Sequence, residues 1–178
     1  PGRITADQIP KIERPFRLDV KKGASFHVGR NVIFSAGFRA RVGRGGRIEI
    51  GNDVLFNIFC WLGAEQHIRV GNGVLMAPRC TVVDAIHNFD DTDTPIWQQG
   101  ATAQPVTIGN DVWIATGAVI LKDVGDSTVI GANAVVTKPI PAGMIAVGVP
   151  AKVLKARPGL EAGTAAAAPP EPARPAGS

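Results

Sequence analysis

Between Val106 and Val136 the apolar residues keep a spacing that belongs to neither common regular structure. Ile108, Val112, Ile114, Ala118 and Ile120 step by four, two, four and two, a period of six. A helix face repeats near 3.6 residues and a half-buried strand at two. The pattern fits a short strand such as Val112-Trp113-Ile114, whose first and third side chains share one side. A tight polar turn such as Gly109-Asn110-Asp111 separates strands: Gly and Asn tolerate positive φ, and Asp closes an Asx-turn. Three such strands make one triangular coil. Stacked coils bury a continuous aliphatic column, a parallel β-helix of hexapeptide repeats.

The same signature recurs upstream. Val28-Gly29-Arg30-Asn31-Val32, Ile50-Gly51-Asn52-Asp53-Val54 and Val70-Gly71-Asn72-Gly73-Val74 follow one another at 22 and 20 residues. That is close to a coil of about 18 residues with small turn insertions, and about five coils are expected. Twenty-one glycines, 14 prolines and no tyrosine in 178 residues suit many turns around a β-branched core. Residues 1–19 carry Pro10 and Pro15 but no hexads, and are expected to be an irregular or short helical lead-in. The repeat domain spans 20–157, including an excursion over 88–105. The tail 158–178, rich in Gly, Ala, Pro and Glu, is expected to be disordered. Handedness does not follow from the repeats, although parallel crossovers in general are right-handed.

The excursion interrupts the period between His87 and Pro105. A long connection is functional or disordered. This one holds Phe89, Ile96 and Trp97, too apolar for a solvated tail, and is expected to pack against something, another subunit included. His87 stands at its mouth, where a side chain escapes the regular stack, and is the catalytic candidate among three histidines. His27 and His67, beside turns and strands, read as hydrogen-bonded surface residues. Cys60 and Cys80 occupy repeat positions and read as small buried hydrophobes in a reducing compartment. No second His or Cys follows His87 closely, so no metal is expected. The cluster Arg39, Arg41, Arg44 and Arg47 reads first as solvated turn residues, and second as a site for an anionic partner. No aromatic stacking pattern accompanies it, so nucleic acid is not expected. No apolar run approaches the roughly 18 residues of a membrane span, and no signal-peptide pattern is present. A cytoplasmic protein without membrane association is expected.

The segments Asp111-Val112-Trp113-Ile114, Val136-Thr137-Lys138 and Gly148-Val149-Pro150-Ala151-Lys152-Val153 resemble those of the hexapeptide-repeat acyltransferases. The likeness covers roughly residues 28–157. It is greatest to the maltose/galactoside and polysaccharide-biosynthesis O-acetyltransferases. The resemblance implies an all-β, left-handed parallel β-helix, a homotrimer, and acetyl-CoA as co-substrate in the groove between adjacent subunits. It implies that His87 is the general base. It places Asn57 and Glu65 at the acceptor, where the second position is usually Asp. It also places Trp113, Thr116, Ala132, Thr137, Lys138, Lys152 and Lys155 along the acyl-CoA groove. Two departures stand out. Ala115 replaces the Gly usual after Trp-Ile, where the pantetheine arm would lie. Ile120-Leu121-Lys122-Asp123-Val124-Gly125 is two residues shorter than the usual repeat, so one turn must tighten.

The chemistry implied is acyl transfer to a hydroxyl of a saccharide or glycosylated small molecule. An alcohol attacks a thioester poorly unless a base takes its proton as the bond forms, and a positioned base contributes roughly 10²–10⁴-fold. No Ser or Cys nucleophile motif is present, so direct transfer is expected. The oxyanion requires a donor, a backbone N–H on a neighbouring coil being the expected one. Asp84 or a backbone carbonyl would orient His87. The competing readings are an N-acyltransferase acting on an amino sugar or other amine, and a non-catalytic hexapeptide-repeat scaffold.

Overall fold

The computed structural model describes residues 2–160, so the expectation of a disordered tail falls, from residue 161 onward, outside the described residues. The chain winds into a three-sided prism of parallel strands. Face one stacks Arg3–Ala6, Ser25–Val28, Arg47–Ile50, His67–Val70 and Val106–Ile108, and continues through single bridges at Val124 and Ile140. Face two runs from Lys11–Ile12 through Ile33–Phe34, Leu55–Phe56, Leu75–Met76, Trp113–Ile114 and Val129–Ile130 to Met144–Val147. There Lys152–Ala156 closes it by antiparallel pairing. Face three holds Arg17–Val20, Arg39–Val42, Trp61–Ala64, Thr81–Val83, Val119–Ile120 and Val135–Val136.

Six rungs on face three replace the five coils expected. Residues 1–19 are therefore not a lead-in: their three strands pair in parallel with the next rung on every face. Pro10 and Pro15 sit in the corners between those strands. A proline costs no ladder bond there, which is why the hexad is hidden without the coil being broken.

The corner between faces one and two explains the recurring Gly-Asn-Asp. Asn52 Oδ1 accepts the Arg30 N–H at 2.8 Å, and Asn72 Oδ1 accepts the Asn52 N–H at 2.8 Å. Asn110 Oδ1 accepts the Asn72 N–H at 2.9 Å, and Asp126 Oδ1 accepts the Asn110 N–H at 2.6 Å. Each corner thus caps the backbone of the rung before it. The glycine ahead of the ladder residue is required by close approach: a Cβ on Gly51 would lie 2.7 Å from Asn72 Oδ1.

The prism narrows toward its C-terminal end. Strands on face three shorten from four residues at Arg39–Val42 to two at Val119–Ile120. The wide end is filled by stacked aromatics, with Phe34 5.3 Å from Phe56 and 4.5 Å from Phe38, ring centre to ring centre. The narrow end is filled by Ala118, Ile120, Ala134 and Val136. Interiors pack to near-crystalline density, so side-chain volume and coil perimeter must change together. The shortened segment after Ile120 is absorbed where face one is reduced to Val124 alone. There Asp123 Oδ1 accepts the Thr107 N–H at 2.7 Å. Cys60 and Cys80 are free and fully buried on adjacent rungs. Their thiols donate to the carbonyls of Ala77 and Ala115 at 3.3 and 3.2 Å. The hydrogen bond that the Cys60 thiol shares with Cys80, reinforced by burial, pushes Cys60 well above the usual range.

Candidate functional site

The excursion is an arm with a stem of its own. Ala85–His87 pairs antiparallel with Ala101–Ala103, and neither strand joins a face of the prism. A short 3₁₀ turn, Ile96–Gln98, lies near its tip. Gln99 ties the arm together by donating to the carbonyls of Asp91 and Thr94, both at 2.7 Å. The Thr94 hydroxyl and the Asp93 N–H hold the Asp91 carboxyl below the usual carboxylate range. Phe89 and Trp97 are 64% and 78% exposed, and Ile86 and Ile96 on the same arm are exposed too, so the described residues do not cover them.

His87 ends the first stem strand with its ring exposed. Its Nδ1 lies 3.3 Å from the Gly100 carbonyl oxygen. A carbonyl only accepts, so the bond requires the proton on Nδ1 and leaves the Nε2 lone pair facing outward. The carbonyl, not Asp84, therefore orients the imidazole. Asp84 is buried, and its carboxylate accepts the N–H groups of Glu65, Gln66 and His67 at 2.8, 2.8 and 2.7 Å. It fastens the root of the arm to the preceding rung.

The other candidates fall into two groups on the two edges of face three. Glu65 lies with the arm on the edge between faces three and one, its carboxylate 2.6 Å from Arg41. Thr137 and Lys138 follow Val135–Val136 on that same edge, both exposed. On the edge between faces two and three stand Asn57 and, past the intervening turn of Arg79, Thr116 and Ala132 on the next two turns, with Trp113 beside them on face two. Trp113 is 48% exposed. Lys152 and Lys155 project from the antiparallel strand that closes face two, paired with Val147 and Ile145. One strand of about four residues, roughly 10–13 Å, separates the two edges. Within one chain the histidine and the Thr116–Ala132 column are not brought together.

Two features of the Thr116–Ala132 edge escape a reading of residue types. The backbone N–H groups of Thr116 and Ala132 have no acceptor among the described residues, whereas Ala115, Gly117 and Asn133 all donate to neighbouring rungs. The column also holds a backbone that bends left-handed at five of the six rungs, at Gly37, Phe59, Arg79, Gly117 and Asn133. His27 and His67 are hydrogen-bonded on face one, His27 to Thr5 and His67 to Glu49. No group of three or more His, Cys, Asp or Glu able to hold a metal occurs among the described residues. No described helix is long and apolar enough to cross a membrane.

No family model matches the chain. A probable acetyltransferase of Mycobacterium tuberculosis is 39% identical over 149 residues, covering 80% of this chain and 46% of that protein. The galactoside O-acetyltransferase of Escherichia coli is 35% identical over 114 residues, covering 62% of this chain and 55% of that one. The chain thus spans about half the length of these relatives. A crystal structure of a galactoside acetyltransferase in complex with coenzyme A superposes with a TM-score of 0.56 at 25% identity, over 87% of this chain and 64% of that chain. An N-acyltransferase from Bacillus cereus in complex with a dTDP-amino sugar and coenzyme A superposes with a TM-score of 0.71 at 20% identity. It matches 87% of this chain and 83% of its own. The fold shared with these structures is the left-handed parallel β-helix, the opposite of the hand that parallel crossovers generally take.

Proposed function

The chain belongs to the hexapeptide-repeat acetyltransferase family, and from that premise we propose that it transfers an acyl group from acetyl-CoA to a hydroxyl of a saccharide or glycosylated small molecule. The observation that carries this reading is His87 on its projecting arm, with Nδ1 tied to the Gly100 carbonyl and Nε2 free. Nε2 takes the hydroxyl proton as the acceptor oxygen bonds to the thioester carbonyl carbon. The same proton then goes to the departing thiolate as the C–S bond breaks, so the histidine ends as it began. The unpaired N–H groups of Thr116 and Ala132 are suited to the oxyanion and to a carbonyl of the pantetheine arm. One such donor is worth roughly 3 kcal/mol. The Ala115 methyl, on the same turn as Thr116, sets how closely that arm lies. Lys152 and Lys155 at one end of the column, with Thr137 and Lys138 on the opposite edge, offer mobile charges to the phosphates of the cofactor. Asn57 and Glu65 flank the acceptor, Glu65 with its charge already shared with Arg41.

Because His87 and the Thr116 column stand on opposite edges of face three, the site is completed when the arm of one copy meets the column of the next. A homotrimer closes that arrangement three times over. The bare apolar side chains of the arm and the exposed Leu75 and Trp113 on face two supply matching surfaces.

The test is transfer from labelled acetyl-CoA across a panel of glycosides, sugars and amines, with CoA binding measured separately. His87→Ala is expected to lose more than nine-tenths of turnover while CoA affinity stays within about twofold, since imidazole acts on the acceptor proton. Lys152→Ala is expected to do the reverse, raising the KM for acetyl-CoA. A chain that binds no CoA at all is a scaffold, and the enzyme reading falls.

A further inference from the structure

From Thr116 and Ala132 the column continues through the turns of Arg79 and Phe59 toward the wide end of the prism, and its residues there change character. The left-handed positions are glycine or asparagine at Gly37, Gly117 and Asn133, but an aromatic at Phe59 (φ 59°) and an arginine at Arg79 (φ 62°). A bulky side chain in that conformation is an outlier. Such strain persists where the surroundings impose it, and it clusters at functional sites. The two residues are on adjacent rungs, the Arg79 N–H donating to the Ile58 carbonyl at 2.9 Å. Phe59 is 59% exposed, and its ring lies over Gly37, where a Cβ would come within 2.3 Å of it. The backbone thus holds Phe59 exposed, with Arg79 exposed on the next rung.

Face three extends the same surface. Arg17, Arg39 and Trp61 lie in register on three successive rungs, and all three point outward. Like charges directly opposite one another are destabilising. The nearby carboxylates do not relieve them: Glu13 pairs with Lys11, Asp19 with Lys21 and Glu65 with Arg41. Arg14, Arg17, Arg39 and Arg79 make no ion pair among the described residues. Guanidinium groups match phosphate oxygens in paired hydrogen bonds, and an exposed aromatic face stacks on a base or on the apolar face of a sugar. Arg14, Arg17, Arg39 and Phe59 lie at or beyond the turn of Asn57, on the side away from the lysines offered to CoA, and Arg79 stands on the turn between those of Asn57 and Thr116.

We propose that the acceptor is phosphate-bearing: Arg39, Arg79 and Arg17 hold its phosphate oxygens, and Phe59 and Trp61 carry its ring. The word acceptor rests on the acyltransferase reading, whereas the anion site stands on these residues alone. Two sources share the chemistry, a nucleotide-linked sugar and a simple sugar phosphate.

Calorimetric binding of glucose, glucose 1-phosphate and UDP-glucose to the full chain, with and without saturating CoA, tests it. Both phosphorylated compounds are expected to bind at least about tenfold more tightly than glucose, the worth of one charge-assisted hydrogen bond. Saturating CoA should leave the preference intact, and rising salt should shrink it. A further gain for UDP-glucose over glucose 1-phosphate assigns the nucleotide-linked source; equal binding assigns the sugar phosphate. Arg39→Gln with Arg79→Gln should erase the preference and leave CoA affinity unchanged. Both arginines are exposed, so the double variant folds. Equal binding of the three probes, undetectable binding of the phosphorylated pair, or a preference that survives the double substitution overturns the proposal. Loss of CoA binding with the preference retained would overturn the acyltransferase reading and leave the anion site standing.

Discussion

Arg79 keeps its backbone at φ 62°, where only residues without a Cβ sit free of strain. Removing that strain costs the fold nothing, because the Arg79 side chain reaches outward and pairs with no carboxylate among the described residues. Arg79→Gly is therefore expected to stabilise by about 1 kcal/mol, raising Tm by a few degrees, while weakening phosphate binding. A lower Tm in thermal unfolding would show that the side chain packs more than it strains. The trade of stability for a held guanidinium is the kind that functional sites make. It is also what residue types conceal: a left-handed Gly37 or Asn133 announces itself in the sequence, and a left-handed Phe59 or Arg79 does not. His87 was legible for the opposite reason, since it sits where the period of six breaks. Which group orients it was not, because a carbonyl at Gly100, 13 residues away, leaves no mark on the chain.

At the scale of elements, the arm depends on a single buried carboxylate. Asp84→Ala leaves three N–H groups at the corner of the preceding rung without their acceptor. The expected loss is about 2–4 kcal/mol in denaturant unfolding, and turnover should fall further than stability alone explains, because the root of the arm loosens with it. Unfolding unchanged within about 0.5 kcal/mol would mean the corner finds water instead. Sequence signalled the excursion as a break, but not its stem. Ala85–His87 and Ala101–Ala103 are three residues each and lack an Asn-Gly type turn between them, so no local signal joins them. The rungs from Arg47 to Val136 were legible because glycine and asparagine are demanded at one corner by backbone contact. The first rung was hidden because prolines fill its corners in place of that pair.

For the whole molecule, the divided site predicts assembly. Light scattering at micromolar concentration should give a trimer, and a monomer with full activity would remove both the intersubunit groove and the role given to Phe89, Ile96 and Trp97. The same prism carries a hazard that assembly about a three-fold axis does not address. A stack of parallel rungs has no natural last member, and the N–H and C=O groups of a final rung invite another chain to continue the ladder. Lys152–Ala156 runs against the direction of every other strand on face two, so it satisfies Met144–Val147 without offering a rung of the same sense for a further coil to copy. Its exposed lysines charge the outer rim, and Arg157 pins its end by a 2.7 Å bond to Asp111. The turn-back that carries Lys152 and Lys155 is thereby also a terminator on face two, set against a pattern that could otherwise grow into a fibre.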